Sequence, residues 1–328
     1  MEYRRMGRSG LQLSVLSFGS WVSFHQQIHD NTADELMGVA YDNGINFFDN
    51  AEGYARGESE RMMGRVLKGK NWERSCYVLS SKVFFGSREN NRPNQHGLSR
   101  KHIVEACHEA LGRLQTDYLD IYFCHRPDPS VPIEEVVWTM HHLIAQGKVL
   151  YWGTSMWSAA EIMEAHRVAQ QYNLIGPVVE QPQYNMFERY KMEMDYLPVF
   201  RNVGLGTTIW SPLAAGFLTG KYLNGLPEGS RLSMDEYGWL RDRWLQEEKI
   251  GKLRKLKTLA DNMGVALPSL AIAWTISNPN TTTAILGATR KEQLIQNLEA
   301  LSVLPKLTDD WKQQIENILT NKPEMNLA

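Results

Sequence analysis

Four polar residues at the ends of apolar stretches could together act on a carbonyl group. Asp49 ends one such stretch, and Tyr54 lies in the glycine-marked loop that follows it. Lys82 and His125 close two later apolar stretches in the same manner. A free tyrosine has a pKa near 10, and a nearby ammonium group favours the phenolate and lowers that pKa. With a carboxylate holding the lysine and an imidazole orienting the substrate, the set predicts a general acid for an oxyanion that forms from a carbonyl.

Each of the four residues also has an ordinary structural explanation. Asp49 could cap a strand end, Tyr54 could be a packed loop aromatic, Lys82 could be solvated, and His125 could be a satisfied loop histidine. A zinc site is a weaker alternative, because Lys82 would repel a cation and no second histidine is well placed. If all four residues lie at the same ends of consecutive barrel strands, one shared function would explain the positions of all four.

The elements that must position these residues alternate along the chain. After a predicted hairpin over residues 1–14, about eight short apolar strands alternate with helices, and the strands end near residues 18, 49, 81, 124, 153, 181, 210 and 286. This alternation predicts an α/β fold, a closed (β/α)8 TIM barrel with an N-terminal β-hairpin and a C-terminal helix over 309–319. No composition break occurs, so one domain over residues 1–328 is expected.

An open, doubly wound sheet is the rival fold. It would need a G-x-G-x-x-G fingerprint after the first strand, where residues 19–24 read GSWVSF. In a parallel barrel the carboxyl ends of all strands meet at one mouth, which would bring the four polar residues together.

Local signals predict where several helices begin. Thr32 followed by Glu35 predicts a capped helix over 32–43, Ser59 a capped helix over 59–68, and Ser99 a helix that ends at Leu114. The segment 212–237 breaks the alternation and is rich in glycine. Loops of this length in a compact domain are usually functional or disordered.

Composition excludes several function classes. The chain has 35 Lys and Arg against 37 Asp and Glu, a net charge of -2, which does not predict a nucleic-acid or anionic-membrane surface. Cys76, Cys107 and Cys124 form an odd, sparse set, as expected for reduced thiols in the cytoplasm. No apolar run approaches the roughly 20 residues of a membrane span, so no membrane insertion is expected.

Several segments around these residues resemble one enzyme family. They are residues 16–21 (LSFGSW), 46–54 (NFFDNAEGY), 80–86 (SSKVFFG), 97–103 (GLSRKHI), 125–128 (HRPD), 151–155 (YWGTS), 210–213 (WSPL) and 270–274 (LAIAW). Over nearly the whole chain the sequence resembles the aldo-keto reductases, NADPH-dependent barrel enzymes that lack a Rossmann fold. Within that family it is most similar to the β subunits of voltage-gated potassium channels and their plant and bacterial relatives.

The resemblance implies roles for the four residues. Tyr54 would be the proton donor, Lys82 and Asp49 would tune it, and His125 would orient the carbonyl. Channel subunits of animals typically carry Asn at the position of His125. The retained histidine and the lack of a long N-terminal inactivating extension favour a working NADPH-dependent reductase of aldehydes or ketones. The alternative is a cofactor-sensing accessory subunit of a potassium channel, and a homotetramer is possible by the same resemblance.

The resemblance also implies a binding site for NADPH or NADP+. Ser155 and Gln181 would hold the carboxamide, Gly216 would allow close backbone approach, and Lys221 and Arg231 would fold over the phosphates. The full expected set is Trp21, Asp49, Ser155, Gln181, Trp210, Ser211, Pro212, Leu213, Ala214, Gly216, Lys221, Arg231, Gly287, Thr289, Arg290, Gln293 and Asn297. The turn from Gly287 into a helix N-terminus suits an anion, and Thr289 and Arg290 could bind a 2′-phosphate, which favours NADPH over NADH.

The expected substrate pocket is aromatic. Trp21, Phe24 and Phe85 would form its walls around a small carbonyl substrate. Met156 departs from the family pattern, since channel subunits have Arg there and many reductases have Asn. No metal is expected.

Overall fold

The computed structural model describes residues 1–21, 23–25 and 27–324, so the end of the predicted domain, residues 325–328, lies outside the described residues. The chain begins with the predicted antiparallel hairpin, β1 (Tyr3–Arg5) and β2 (Gln12–Ser14). Met6 and Leu13 of this hairpin are buried against barrel residues such as Phe47 and Ile121. The hairpin therefore closes the end of the barrel that lies opposite the strands' carboxyl ends.

Eight parallel strands among the described residues form a closed barrel. Each strand pairs with the next, and the last pairs with the first, which confirms the predicted (β/α)8 fold. Closure leaves no unpaired edge. The strands are β3 (Leu16–Gly19), β4 (Phe47–Asp49), β5 (Val78–Val83), β6 (Leu119–Cys124), β7 (Val149–Thr154), β8 (Val179–Glu180), β9 (Gly206–Ile209) and β10 (Thr283–Leu286).

Helices surround the barrel and cover its outer face. They are α1 (Asp30–Asp42), α2 (Glu58–Lys70), α3 (Arg100–Leu114), α4 (Ile133–Ala145), α5 (Ala159–Gln171), α6 (Leu197–Asn202), α7 (Gly238–Trp244), α8 (Glu247–Asn262), α9 (Leu267–Ser277), α10 (Lys291–Leu298), α11 (Ala300–Val303) and α12 (Asp309–Leu319). No single helix in the described part is long and apolar enough to cross a membrane. The helices α8 and α9 pass that test only as a pair, and the pair is bent by 94°.

Two of the three predicted helix starts differ from the structure. Ser99 accepts a hydrogen bond from the His102 backbone N–H, as a capping residue does. Helix α1 begins earlier than predicted, at Asp30, so Thr32 lies inside it. Helix α2 begins after Gly57, which has a left-handed φ of 86°, and the Ser59 hydroxyl is buried inside the helix rather than capping it. The glycine can adopt a conformation there that lets the chain enter the helix directly from the Tyr54 loop.

The segment 212–237 is partly ordered by the core. It contains short 3-10 turns at Ala214–Thr219, Arg231–Ser233 and Asp235–Tyr237. The buried Phe217 ring stacks on Trp244 of α7, with centroids 5.7 Å apart, and Leu232 is also buried. Residues 224–229 between these anchors are exposed. The segment is thus a loop held at both ends with an exposed middle.

Candidate active site

A buried ion pair lies beneath the carboxyl-end mouth of the barrel. Asp49 ends β4, and Lys82 lies in the neighbouring strand β5. The Lys82 Nζ donates to Asp49 Oδ2 at 2.6 Å, to the Asn50 carbonyl at 2.8 Å and to the Tyr54 hydroxyl at 3.1 Å. Burial lowers the pKa of Lys82, but attraction by Asp49 and Tyr54 outweighs burial, and the pKa is raised. Lys82 is therefore a fixed positive charge that touches the phenol.

The phenol of Tyr54 is protonated in this environment. Burial raises the pKa of Tyr54 above its ordinary value, and the opposing effect of Lys82 is smaller. Lys82 does lower this pKa, as expected, but burial of the phenol is the larger effect, so the net change is a rise. A protonated tyrosine can donate a hydrogen bond to a carbonyl oxygen and give up its proton to a strongly basic alkoxide.

His125 stands beside this phenol as a neutral imidazole. Its ring centroid is 5.7 Å from that of Tyr54, and the two rings are nearly perpendicular. Burial lowers its pKa well below the ordinary value, and the charges of Lys82 and Arg126 lower it further. The buried Nδ1 has no hydrogen-bond partner among the described residues. A neutral imidazole carries one N–H donor, which could orient the oxygen of a carbonyl compound.

Glu52 supports one wall of this site. Its Oε1 accepts hydrogen bonds from the Phe84 N–H at 2.8 Å and the Gly86 N–H at 2.9 Å, and lies 3.1 Å from His102 Nε2. These bonds fix the loop that carries Phe85, whose ring centroid is 5.0 Å from that of His125. Sequence reasoning missed Glu52, although it lies inside the segment that carries Asp49 and Tyr54.

A second group of polar contacts crosses the barrel from β8 to β4. Gln181 Nε2 donates to Asp49 Oδ1 at 3.1 Å and to Thr208 Oγ1 at 3.2 Å. The Ser155 hydroxyl donates to the Gln181 carbonyl at 2.9 Å. The two residues predicted to hold a carboxamide thus lie side by side above the ion pair.

One cavity of about 1050 Å³ collects most of the predicted site residues. Its volume lies just above the range typical of ligand sites, about 300–1,000 Å³. Lys82 lies under Tyr54 and does not reach the cavity wall. The predicted residues that line it are Trp21, Asp49, Tyr54, Phe85, His125, Ser155, Gln181, Trp210, Ser211, Pro212, Leu213, Gly216, Lys221, Arg231, Gly287, Thr289, Arg290, Gln293 and Asn297.

Two predicted residues lie elsewhere. Phe24 is buried, with its ring centroid 6.1 Å from that of Phe18, so it belongs to the core and not to a substrate wall. Ala214 is also buried in the core, and its neighbour Ala215 lines the cavity instead. The reason is local: Ala214 has a φ of 51° and Ala215 a φ of 57°, a conformation that turns the chain sharply between them.

This turn belongs to a run of left-handed residues. Ser211 and Gly216 also have positive φ, and the Ser211 hydroxyl accepts from the Ala215 N–H at 2.8 Å. Left-handed conformations cost free energy in residues other than glycine and cluster at functional sites. Turns of this kind can present successive backbone N–H groups to an anion.

Three cations that line the cavity, Lys221, Arg231 and Arg290, lie close enough together to affect one another. The pKa of Lys221 is lowered by burial and then by the charges of Arg231 and Arg290. The Arg231 guanidinium lies 4.9 Å from the centroid of the Trp21 ring. Among the side chains that the structure describes, no carboxylate forms an ion pair with any of the three. Cations that repel one another without acidic partners suit a multiply charged anion.

The described residues include no group of three or more His, Cys, Asp or Glu side chains that could hold a metal. Asp49, the acid of the weaker zinc hypothesis, is instead bound to Lys82, Ser80 and Gln181.

Comparisons with known proteins agree with this geometry. A family model described as "Aldo/keto reductase family" matches residues 15–320. A protein of Arabidopsis thaliana named "Probable voltage-gated potassium channel subunit beta" is 47% identical over 325 residues, which cover 99% of this chain and 98% of that protein. A protein of the same name from Oryza sativa subsp. japonica has the same identity and coverage.

Proposed function

We propose that this chain, which belongs to the aldo/keto reductase family, is an NADPH-dependent oxidoreductase that reduces aldehydes or ketones to alcohols. One observation carries the proposal above all. Lys82 Nζ contacts both Asp49 at 2.6 Å and the Tyr54 hydroxyl at 3.1 Å, directly below a large cavity with His125 in its wall. This arrangement suits a proton donor for a developing alkoxide.

The residues present fit NADPH. When bound, NADPH supplies the hydride that adds to the carbonyl carbon. Ser155 and Gln181 would hold its carboxamide, the turn that contains Gly216 would lie along the pyrophosphate, and Lys221 and Arg290 would bind phosphate groups. The cluster of cations without acidic partners supports this assignment, as does the buried Trp210 Nε1, which has no partner among the described residues.

Residues of this chain would orient the carbonyl group and donate the proton. Tyr54 and the neutral His125 donate hydrogen bonds to the carbonyl oxygen and orient it. Negative charge grows on that oxygen, and the Tyr54 proton moves to it to give the alcohol. The resulting phenolate is stabilised by Lys82, which Asp49 holds in place. The pKa of Tyr54, raised by burial, keeps the proton in place until the alkoxide forms.

Replacing Tyr54 by phenylalanine tests the acid role. Tyr54→Phe should lose roughly 10²-fold or more in kcat, since general acid catalysis is typically of that size. NADPH binding, followed by fluorescence, should persist. Steady NADPH oxidation with a panel of small aldehydes is the assay, and Tyr190→Phe, at an exposed tyrosine, is the matched control. Turnover of Tyr54→Phe near that of the unmodified protein would remove Tyr54 from this role.

A second candidate function follows from the names of the relatives. The two plant proteins are named as probable channel subunits, and they are 47% identical to this chain over 99% of its length. Under this candidate the chain is a cofactor-sensing accessory subunit, and the family resemblance allows a homotetramer. Sustained turnover of aldehydes supports the reductase. Stable co-purification with a potassium channel, without turnover, supports the subunit.

A further inference from the structure

Arg126 is a cation of the cavity that the proton-donating residues do not use. It directly follows His125 at the end of β6 and lines the same cavity as Tyr54 and Phe85. Its charge opposes the rise that burial causes in the pKa of Tyr54 and adds to the fall that burial causes in the pKa of His125. The guanidinium is therefore close to the place where the carbonyl oxygen would bind.

No acidic side chain neutralises this guanidinium. Within residues 1–21, 23–25 and 27–324, no described carboxylate forms an ion pair with Arg126. The one carboxyl that acts on it from a distance is Glu180, which is buried and bonded to Thr154 and Tyr196. Burial lowers the pKa of Arg126. A half-buried arginine without an acidic partner carries a desolvation cost that a bound anion would offset.

The guanidinium is also held in a defined orientation. Its Nη1 donates to the His125 carbonyl at 2.5 Å, and its central carbon lies 5.5 Å from the centroid of the Phe85 ring. The Phe85 loop is itself fixed by the bonds that Glu52 accepts. One bond to a carbonyl leaves most of the five N–H donors of Arg126 free for another acceptor. The planar fork matches the two oxygens of a carboxylate.

We propose that the substrate is a carbonyl compound that also carries a carboxylate, and that Arg126 binds this carboxylate while Tyr54 and His125 bind the carbonyl oxygen. The inference rests on the proposed carbonyl reduction and names the substrate class of that site. Lys82 is already paired with Asp49, so it is not available for the substrate's negative charge. Of the other cations that line the cavity, Lys221, Arg231 and Arg290 are assigned to the cofactor, and Lys257 is paired with Asp261.

Matched pairs of substrates test the inference. Rates of NADPH oxidation are compared for 4-carboxybenzaldehyde and 4-carbamoylbenzaldehyde, and for 4-oxobutanoate and 4-oxobutanamide. In at least one pair the acid should have a kcat/KM at least tenfold above that of the amide, mainly through KM. The ratio should fall to about one in Arg126→Gln, remain intermediate in Arg126→Lys, and shrink with added salt. Equal kcat/KM for acid and amide in both pairs would overturn the inference and leave carbonyl reduction intact.

Arg56→Gln is the matched control. Arg56 lies two residues after Tyr54, but it is exposed and paired with Glu89, so its replacement should leave the acid-to-amide ratio unchanged. A ratio that falls equally in both variants would overturn the role of Arg126. If no aldehyde is reduced, the proposed function fails, and binding then decides the inference. With NADP+ present, 4-carboxybenzyl alcohol should bind at least tenfold more weakly to Arg126→Gln than to the unmodified protein, whereas equal affinity overturns the inference.

Discussion

The buried Glu180 should make the stability of the protein depend on pH, and the structure around it sets the magnitude of the effect. It lies at the end of β8 and is fully buried. Its carboxyl accepts from Thr154 Oγ1 at 2.5 Å and from the Tyr196 hydroxyl at 3.1 Å, and from the Met156 backbone N–H. It therefore holds the chain on both sides of Ser155, where Met156 has a left-handed φ of 61°. Burial outweighs these bonds and raises the pKa of Glu180 to about 7.

The effect on stability follows from the two pKa values. In the unfolded chain this carboxyl ionises near its ordinary pKa of 4.5, and in the folded chain near about 7. Below pH 4.5 both states are protonated, and burial of the charge has no cost. As the pH rises from there through about 7, the unfolded state is increasingly favoured. The difference of about 2.5 in pKa, at 1.36 kcal/mol for each unit, corresponds to about 3 kcal/mol.

Glu180→Gln should remove this loss of stability, because glutamine does not titrate. The free energy of unfolding of the variant, relative to that of the unmodified protein, should rise by about 3 kcal/mol between pH 4.5 and pH 8. Urea unfolding followed by circular dichroism at a series of pH values measures this difference. Glu134→Gln, at an exposed position of α4, controls for the loss of a surface carboxyl.

Parallel stability curves for Glu180→Gln and the unmodified protein would refute the reasoning, as would a relative stability that falls with pH. An independent readout is the infrared band of a protonated carboxyl at pH 6. It should be weaker in Glu180→Gln than in the unmodified protein. A spectrum that the substitution leaves unchanged would mean that Glu180 is already ionised at this pH.

Two further predictions concern the cofactor. NADPH should bind at least tenfold more tightly than NADH, about 1.4 kcal/mol, because in the proposed site Lys221 and Arg290 would supply charge-assisted contacts to the additional phosphate. Arg290→Ala should narrow the ratio of the two dissociation constants, and equal dissociation constants in fluorescence titrations would contradict the assignment. The segment 212–237 should close over the bound cofactor, so NADP+ should protect its amides from hydrogen exchange more than those of α5. If the segment closes, Arg231→Ala should weaken cofactor binding chiefly by raising the dissociation rate of the cofactor. If saturating NADP+ does not change hydrogen exchange in the segment, closure is excluded.

The barrel and the proximity of the four polar residues could be predicted from the sequence because both depend on local patterns. Short apolar stretches that alternate with helical periodicity indicated the (β/α)8 fold. The predicted strand β4 (Phe47–Asp49) and helix α12 (Asp309–Leu319) have the predicted bounds. Parallel strands place their carboxyl ends at one mouth, so residues that end consecutive strands were expected to meet. Asp49, Tyr54 and Lys82 do so, with His125 beside them.

Other features depended on contacts between distant parts of the chain, and only the tertiary structure decided them. The pKa of Tyr54 is raised because the walls of the cavity bury its oxygen, a quantity that no local pattern reports. Phe24 turned into the core and away from the cavity, although its neighbours in sequence gave no sign of it. Arg126 is a candidate anion site only because none of the described carboxylates, Asp49 of the same cavity included, forms an ion pair with it. A sequence pattern specifies which residues end a strand, whereas burial, charge and the presence or absence of a partner are set by residues brought together from across the chain.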